Sequence, residues 1–106
     1  MLVDLDTFEG LASALEGEAD VLVYDVRTNE EYQSGHIPGA RNVPYDVIGK
    51  RLPFWRKKRT IVVYCLSGGR SARAYDTLVE RGFTNVTDFG GIGNWQGELI
   101  EGKKRK

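Results

Sequence analysis

Apolar positions along the chain fall into two kinds of run. Val21-Leu22-Val23-Tyr24-Asp25-Val26 and Thr60-Ile61-Val62-Val63-Tyr64 are nearly continuous in apolar residues, the pattern of strands buried on both faces of a parallel sheet. Between and around them apolar residues recur at helical spacing. Phe8, Leu11, Ala12 and Leu15 share one helical face, with Asp6 and Glu9 as a capping box and Gly17 as a left-handed stop. Ala74, Tyr75, Leu78 and Val79 mark a second helix, ended by Gly82. Thr28 or Asn29 caps a short helix through Tyr32, with Glu30 and Glu31 supporting its first turn. Arg41-Asn42-Val43 reads as a brief strand stopped by Pro44, and a short helix is expected over Tyr45 to Lys50. Leu2-Val3 reads as a short edge strand, Asn85 to Phe89 as a last strand, and GGIGNW as a turn with a short helix at its end.

Strands thus alternate with helices. The alternation predicts a small α/β domain with a mainly parallel sheet flanked by helices. At 106 residues the chain holds one core; residues 1–102 are expected to form one domain, and 103–106 a disordered basic tail.

Composition narrows the partners. Net charge is zero, so no global attraction to nucleic acid or membrane is expected. The charge is unevenly spread: KKRK ends the chain, and Arg56-Lys57-Lys58-Arg59 follows Lys50-Arg51. That inner basic run is either a solvated loop or a docking patch for an anionic partner. No apolar run approaches the roughly 18 residues of a membrane span, and the acidic N-terminus does not look like a signal peptide, although a removed leader stays open. The single cysteine, Cys65, cannot form an internal disulfide, which favours a reducing, cytoplasmic setting. A monomer is expected.

Cys65 falls where an apolar strand hands over to a helix, the place where open α/β sheets build their sites. It is either a small core residue or a nucleophile. The residues that follow favour the nucleophile. Gly68 and Gly69 permit a tight turn, the amides of Leu66 to Arg70 can form an anion nest, and the helix dipole faces the same spot. Arg70 and Arg73 add positive charge nearby. In such a field a thiol ionises below its ordinary ~8.5 without a base. His36, the lone histidine, therefore reads as a turn residue with a fixed hydrogen bond, although a Cys-His pair stays geometrically open. A nucleotide-binding P-loop is excluded because no lysine follows the glycines. A cysteine-dependent phosphatase signature has five residues between Cys and Arg, and this chain has Leu66, Ser67, Gly68 and Gly69 only. The tighter ring suits one sulfur atom better than a tetrahedral phosphate.

Three stretches together resemble the rhodanese family in its single-domain form: VYDVRTNEEYQSGHIPGARNVP (23–44), YCLSGGRSARAYDTLVERGF (64–83) and FGGIGNW (89–95). The resemblance implies a rhodanese-like three-layer sandwich, a central mainly parallel sheet of about five strands with helices on both faces. It implies a thiosulfate sulfurtransferase with Cys65 as nucleophile. The Cys65 thiolate takes sulfane sulfur from a small anionic donor such as thiosulfate, holds it as a persulfide, and passes it to cyanide, a thiol or a protein cysteine. Leu66, Ser67, Gly68, Gly69 and Arg70 would bind donor and persulfide, with the Arg70 side chain steering the anion or pointing away. No cofactor or metal is implied. Asp25, Arg27 and Tyr64 read as architecture, and Trp95 as core or as a wall of the site. A non-catalytic interaction module and a phosphatase or arsenate reductase are the competing classes.

Overall fold

The computed structural model describes residues 4–103. Helix α1 (Phe8–Glu16) leads into strand β1 (Val21–Asp25), helix α2 (Asn29–Ser34) and the short strand β2 (Arg41–Asn42). Helix α3 (Ile48–Arg51) and a 3-10 turn at Phe54–Arg56 precede β3 (Thr60–Cys65), α4 (Gly69–Glu80) and β4 (Val86–Gly91); a 3-10 turn at Ile92–Asn94 follows. Among the described residues the strands form one sheet in the order β2-β1-β3-β4, every pair parallel. The α/β domain with a parallel sheet flanked by helices, expected from the alternation, is present. Among the described residues the sheet has four strands where about five were expected; the expected edge strand Leu2-Val3 lies outside those residues, as do residues 104–106 of the basic tail.

The two apolar runs are buried on both faces, as double-sided strands require. Along β3 the side chains alternate between two cores. Ile61, Val63 and Cys65 join Tyr24, Val26, Ile48, Ala74 and Leu78 on the α3/α4 side. Val62 and Tyr64 join Leu11, Val23, Tyr32, Ile37 and Phe89 on the α1/α2 side. Each such fully buried aliphatic side chain contributes about 1.5–3 kcal/mol of hydrophobic stabilisation. This alternation puts Cys65 and Tyr64 on opposite faces.

Local details differ from the sequence reading where tertiary contacts intervene. Thr7, not Asp6, caps α1: its hydroxyl accepts from the Gly10 amide at 3.1 Å, one residue beyond the expected box. Gly17 has φ −80°, so it is no left-handed stop; Glu18 takes φ 54° instead, with its amide and that of Ala19 bonded back to Leu15 and Ala14. Thr28 caps α2 with Glu31 in a complete capping box. The helix expected over 45–50 starts later, at Ile48, because the Tyr45 amide donates to the Val26 carbonyl at 3.0 Å and holds that segment beside β1. Strand β4 runs on to Gly91, two residues past Phe89. Among the described residues no helix is long and apolar enough to cross a membrane.

Candidate active site

Cys65 ends β3, and three residues turn the chain into α4. Gly68 makes the turn with φ 104°, a left-handed conformation that a β-carbon would strain. Gly91 lets the end of β4 close on this loop; a β-carbon there would lie 2.7 Å from the Leu66 carbonyl oxygen. No side chain caps α4. The cysteine sulfur takes that place. The Gly68 amide donates to Cys65 Sγ at 3.0 Å and the Ser71 amide at 3.3 Å. The amides of Gly69 and Arg70, in the first turn of α4, have no acceptor within the helix; the first intrahelical bond runs from Ala72 to the Gly68 carbonyl. The loop thus holds more donors than the sulfur itself consumes.

Ser71 is buried, and its hydroxyl stands between two partners. The Cys65 thiol donates to Ser71 Oγ at 3.5 Å, and Ser71 Oγ donates to the Gly68 carbonyl at 3.2 Å. On ionisation of the thiol, rotation of the hydroxyl lets it donate to the thiolate instead. Burial pushes the Cys65 thiol up, but the Ser71 hydroxyl and the amides of Ser71, Gly68 and Ser67 outweigh it, and the net shift is downward. The expectation of an acidified thiol is met by this arrangement. The sequence reading missed Ser71 because it lies one residue beyond the glycine–arginine loop; its signal was a small hydroxyl residue at the third position of a helix that opens without a capping side chain.

The other expected site residues separate. Leu66 is exposed, as is Ser67, at the tip of the loop. Arg70 turns to Glu31 on α2, in a bidentate pair with Nη1–Oε1 2.8 Å and Nη2–Oε2 3.0 Å. Its side chain is therefore a clamp between α4 and α2 rather than an open anion-steering group. The pair, with the Thr28 cap, holds the Glu31 carboxyl down at about 2, the Arg70 hydrogen bond being the largest cause. Glu31 thus does more than support its own helix.

His36 is not a partner of the thiol. It is buried, stacked on Tyr32 at 3.8 Å between ring centroids, with Nδ1 donating to the Tyr32 carbonyl at 2.9 Å and its backbone bridged to Ile100. Asp25 and Arg27 form a buried ion pair at 2.6 Å, and Arg27 also donates to the Gly35 carbonyl at 2.7 Å. The Tyr64 hydroxyl accepts from the Ile37 amide at 3.0 Å. Trp95 packs edge-on against Phe8 at 5.0 Å, on the α1/α2 side and so away from the Cys65 face.

The chain as a whole has known relatives. The rhodanese-like domain profile matches residues 7–98, and the chain belongs to that family. It is 38% identical over 96 residues to a sulfurtransferase of Allochromatium vinosum, covering 90% of this chain and 89% of that one. It is 39% identical over 70 residues to thiosulfate sulfurtransferase PspE of Escherichia coli, covering 64% and 67%. Among solved structures, a rhodanese-like domain protein from Staphylococcus aureus superposes with TM-score 0.76 at 33% identity, over 90% of this chain and 95% of that one.

Proposed function

We propose that this chain is a sulfurtransferase that works through a persulfide on Cys65, with thiosulfate as one donor. The observation that carries the reading is the Cys65 sulfur held by the Gly68 and Ser71 amides at the open end of α4, with the Gly69 and Arg70 amides free of helical acceptors. The names of the relatives point the same way.

In the first half-reaction the Cys65 thiolate attacks the outer sulfur of thiosulfate. A new S–S bond forms, the old one breaks, and its electron pair leaves with sulfite. The terminal sulfur of the persulfide carries the negative charge, and the spare amides of the Leu66–Arg70 loop stabilise it. In the second half-reaction a nucleophile (cyanide, a thiolate or a protein cysteine) attacks that terminal sulfur, and Cys65 departs as the thiolate it began as. No external oxidant or reductant is consumed in either step with cyanide as acceptor. A thiol that must stay reduced between turnovers suits a cytoplasmic setting. Leu66 and Ser67, at the exposed rim, meet the donor first.

Intact mass spectrometry tests this. Reduced protein incubated with thiosulfate should gain one sulfur, lose it to cyanide with release of thiocyanate, and show neither change as Cys65→Ser. A reactive Cys65 that gains no sulfur would overturn the reading and direct the search to aryl phosphate or arsenate.

A further inference from the structure

Charge is strongly polarised along this neutral chain. Between Asp46 and Asp76 there is no carboxylate, while Lys50, Arg51, Arg56, Lys57, Lys58, Arg59, Arg70 and Arg73 fall in that interval. Several of these cations are engaged. Arg70 holds Glu31, Arg59 holds Asp20, and Arg56 donates to the Tyr24 hydroxyl. Among the described residues, Lys50, Arg73 and Arg81 take part in no ion pair.

Those three cations line one groove. Tyr45, Asp46, Lys50, Arg73 and Arg81 border a hollow of about 310 Å³ between α3 and α4, with Arg73 lying over the Tyr45 ring at 5.5 Å. A second hollow of about 140 Å³ adjoins it, sharing Gly49 and Arg81 and bounded by Leu52, Phe54, Lys57 and Phe83. The groove is thus cationic along most of its length and apolar at one end. Phe54 is 70% exposed there, beside Trp55 at 74%. Its other end lies close to the candidate site: Arg73 is two residues past Ser71, whose amide touches Cys65 Sγ, and Tyr45 packs against the core cluster that contains Cys65.

The geometry points to a docking groove for an extended acidic segment of a partner protein, with an apolar residue seated against Phe54 and Phe83. Charge complementarity sets the acidic character, because Asp46 is the one carboxylate on the lining. Size sets the extended form. From Arg73 to Arg81 is about 12 Å along the helix at ~1.5 Å per residue, which about four residues of extended chain cover. On the sulfurtransferase reading the partner is a protein sulfur acceptor; the groove itself stands independently of that reading.

The test separates the two. Fluorescence anisotropy measures binding of a labelled peptide of about six residues, glutamates ending in leucine, against a lysine counterpart of equal length. The acidic peptide should bind at least about tenfold tighter at low salt, and the margin should shrink as salt screens it. It should disappear in the Lys50→Glu/Arg81→Glu double variant and fall partway in Lys50→Gln/Arg81→Gln, with unchanged circular dichroism and an unchanged rate of transfer to cyanide. Equal binding of both peptides, or an acidic preference that survives the double reversal, overturns the groove. Binding to phosphatidylserine vesicles without binding to the acidic peptide overturns it in favour of a membrane, and dimerisation lost in the double variant overturns it in favour of a second copy. Peptide binding in a protein that forms no persulfide upholds the groove and removes only the sulfur chemistry.

Discussion

Strands β1 and β3 lie side by side and end at the same edge of the sheet, yet their ends do opposite work. At the end of β1, the Asp25 carboxylate receives the Arg27 amide, its Nε and its Nη2, and Arg27 reaches on to the Gly35 carbonyl. Donors and acceptors are matched and buried, and the result ties the strand to the following turn. At the end of β3, Cys65 meets a loop with donors to spare. A saturated polar network specifies shape. An unsaturated one at a helix N-terminus keeps the capacity to stabilise a charge that arrives later. Polar residues at a strand end therefore do not mark a reactive site by themselves; the surplus of donors does.

Substitutions at the two ends should separate activity from stability. The largest effect expected is on sulfur transfer by Cys65→Ser: loss of about 10³-fold or more, roughly 4 kcal/mol of barrier, with a melting temperature close to wild type. Asp25→Ala should do the reverse, costing about 3–5 kcal/mol of stability in denaturant titration because Arg27 is left charged and buried. An Asp25→Ala protein that kept full stability would erase the contrast between the ends. Ser71→Ala should be milder. Without the hydroxyl that turns to the thiolate, the pH midpoint of Cys65 alkylation should move upward, because one of the groups that holds the thiol down is gone, while the fold persists.

The smallest effect belongs to Glu31. Its carboxyl titrates at about 2 in the folded chain, below the unfolded value of about 4.3. Its contribution is therefore present above that unfolded value and lost as pH falls through about 2. Glu31→Gln should cost about 1 kcal/mol at neutral pH and flatten the acid limb of the stability curve between those limits. An acid limb identical to wild type would show that the Arg70 clamp adds nothing.

Much of this arrangement was legible along the chain. Two double-sided strands read as buried because their apolar runs leave no face for water, and Cys65 was located by the glycines and arginine after it. The rest depended on contacts the chain makes with itself at long range. The chain alone left the Arg70 side chain either steering an anion or pointing away, because its partner, Glu31, lies 39 residues away on another helix. The later start of α3 followed from a single amide, Tyr45, drawn to Val26 by the sheet.

The order of apolar and polar residues determined the sheet, its burial on both faces and the position of the thiol at a strand end, since periodicity and turn chemistry are local. Tertiary structure alone decided which arginine is free and which is spoken for. It also decided that Ser71 faces the sulfur and that unpaired cations from α3 and α4 share one groove. Those outcomes rest on which side chains meet across the packed layers, and the energy of a charge or a hydroxyl is set by the partner it meets.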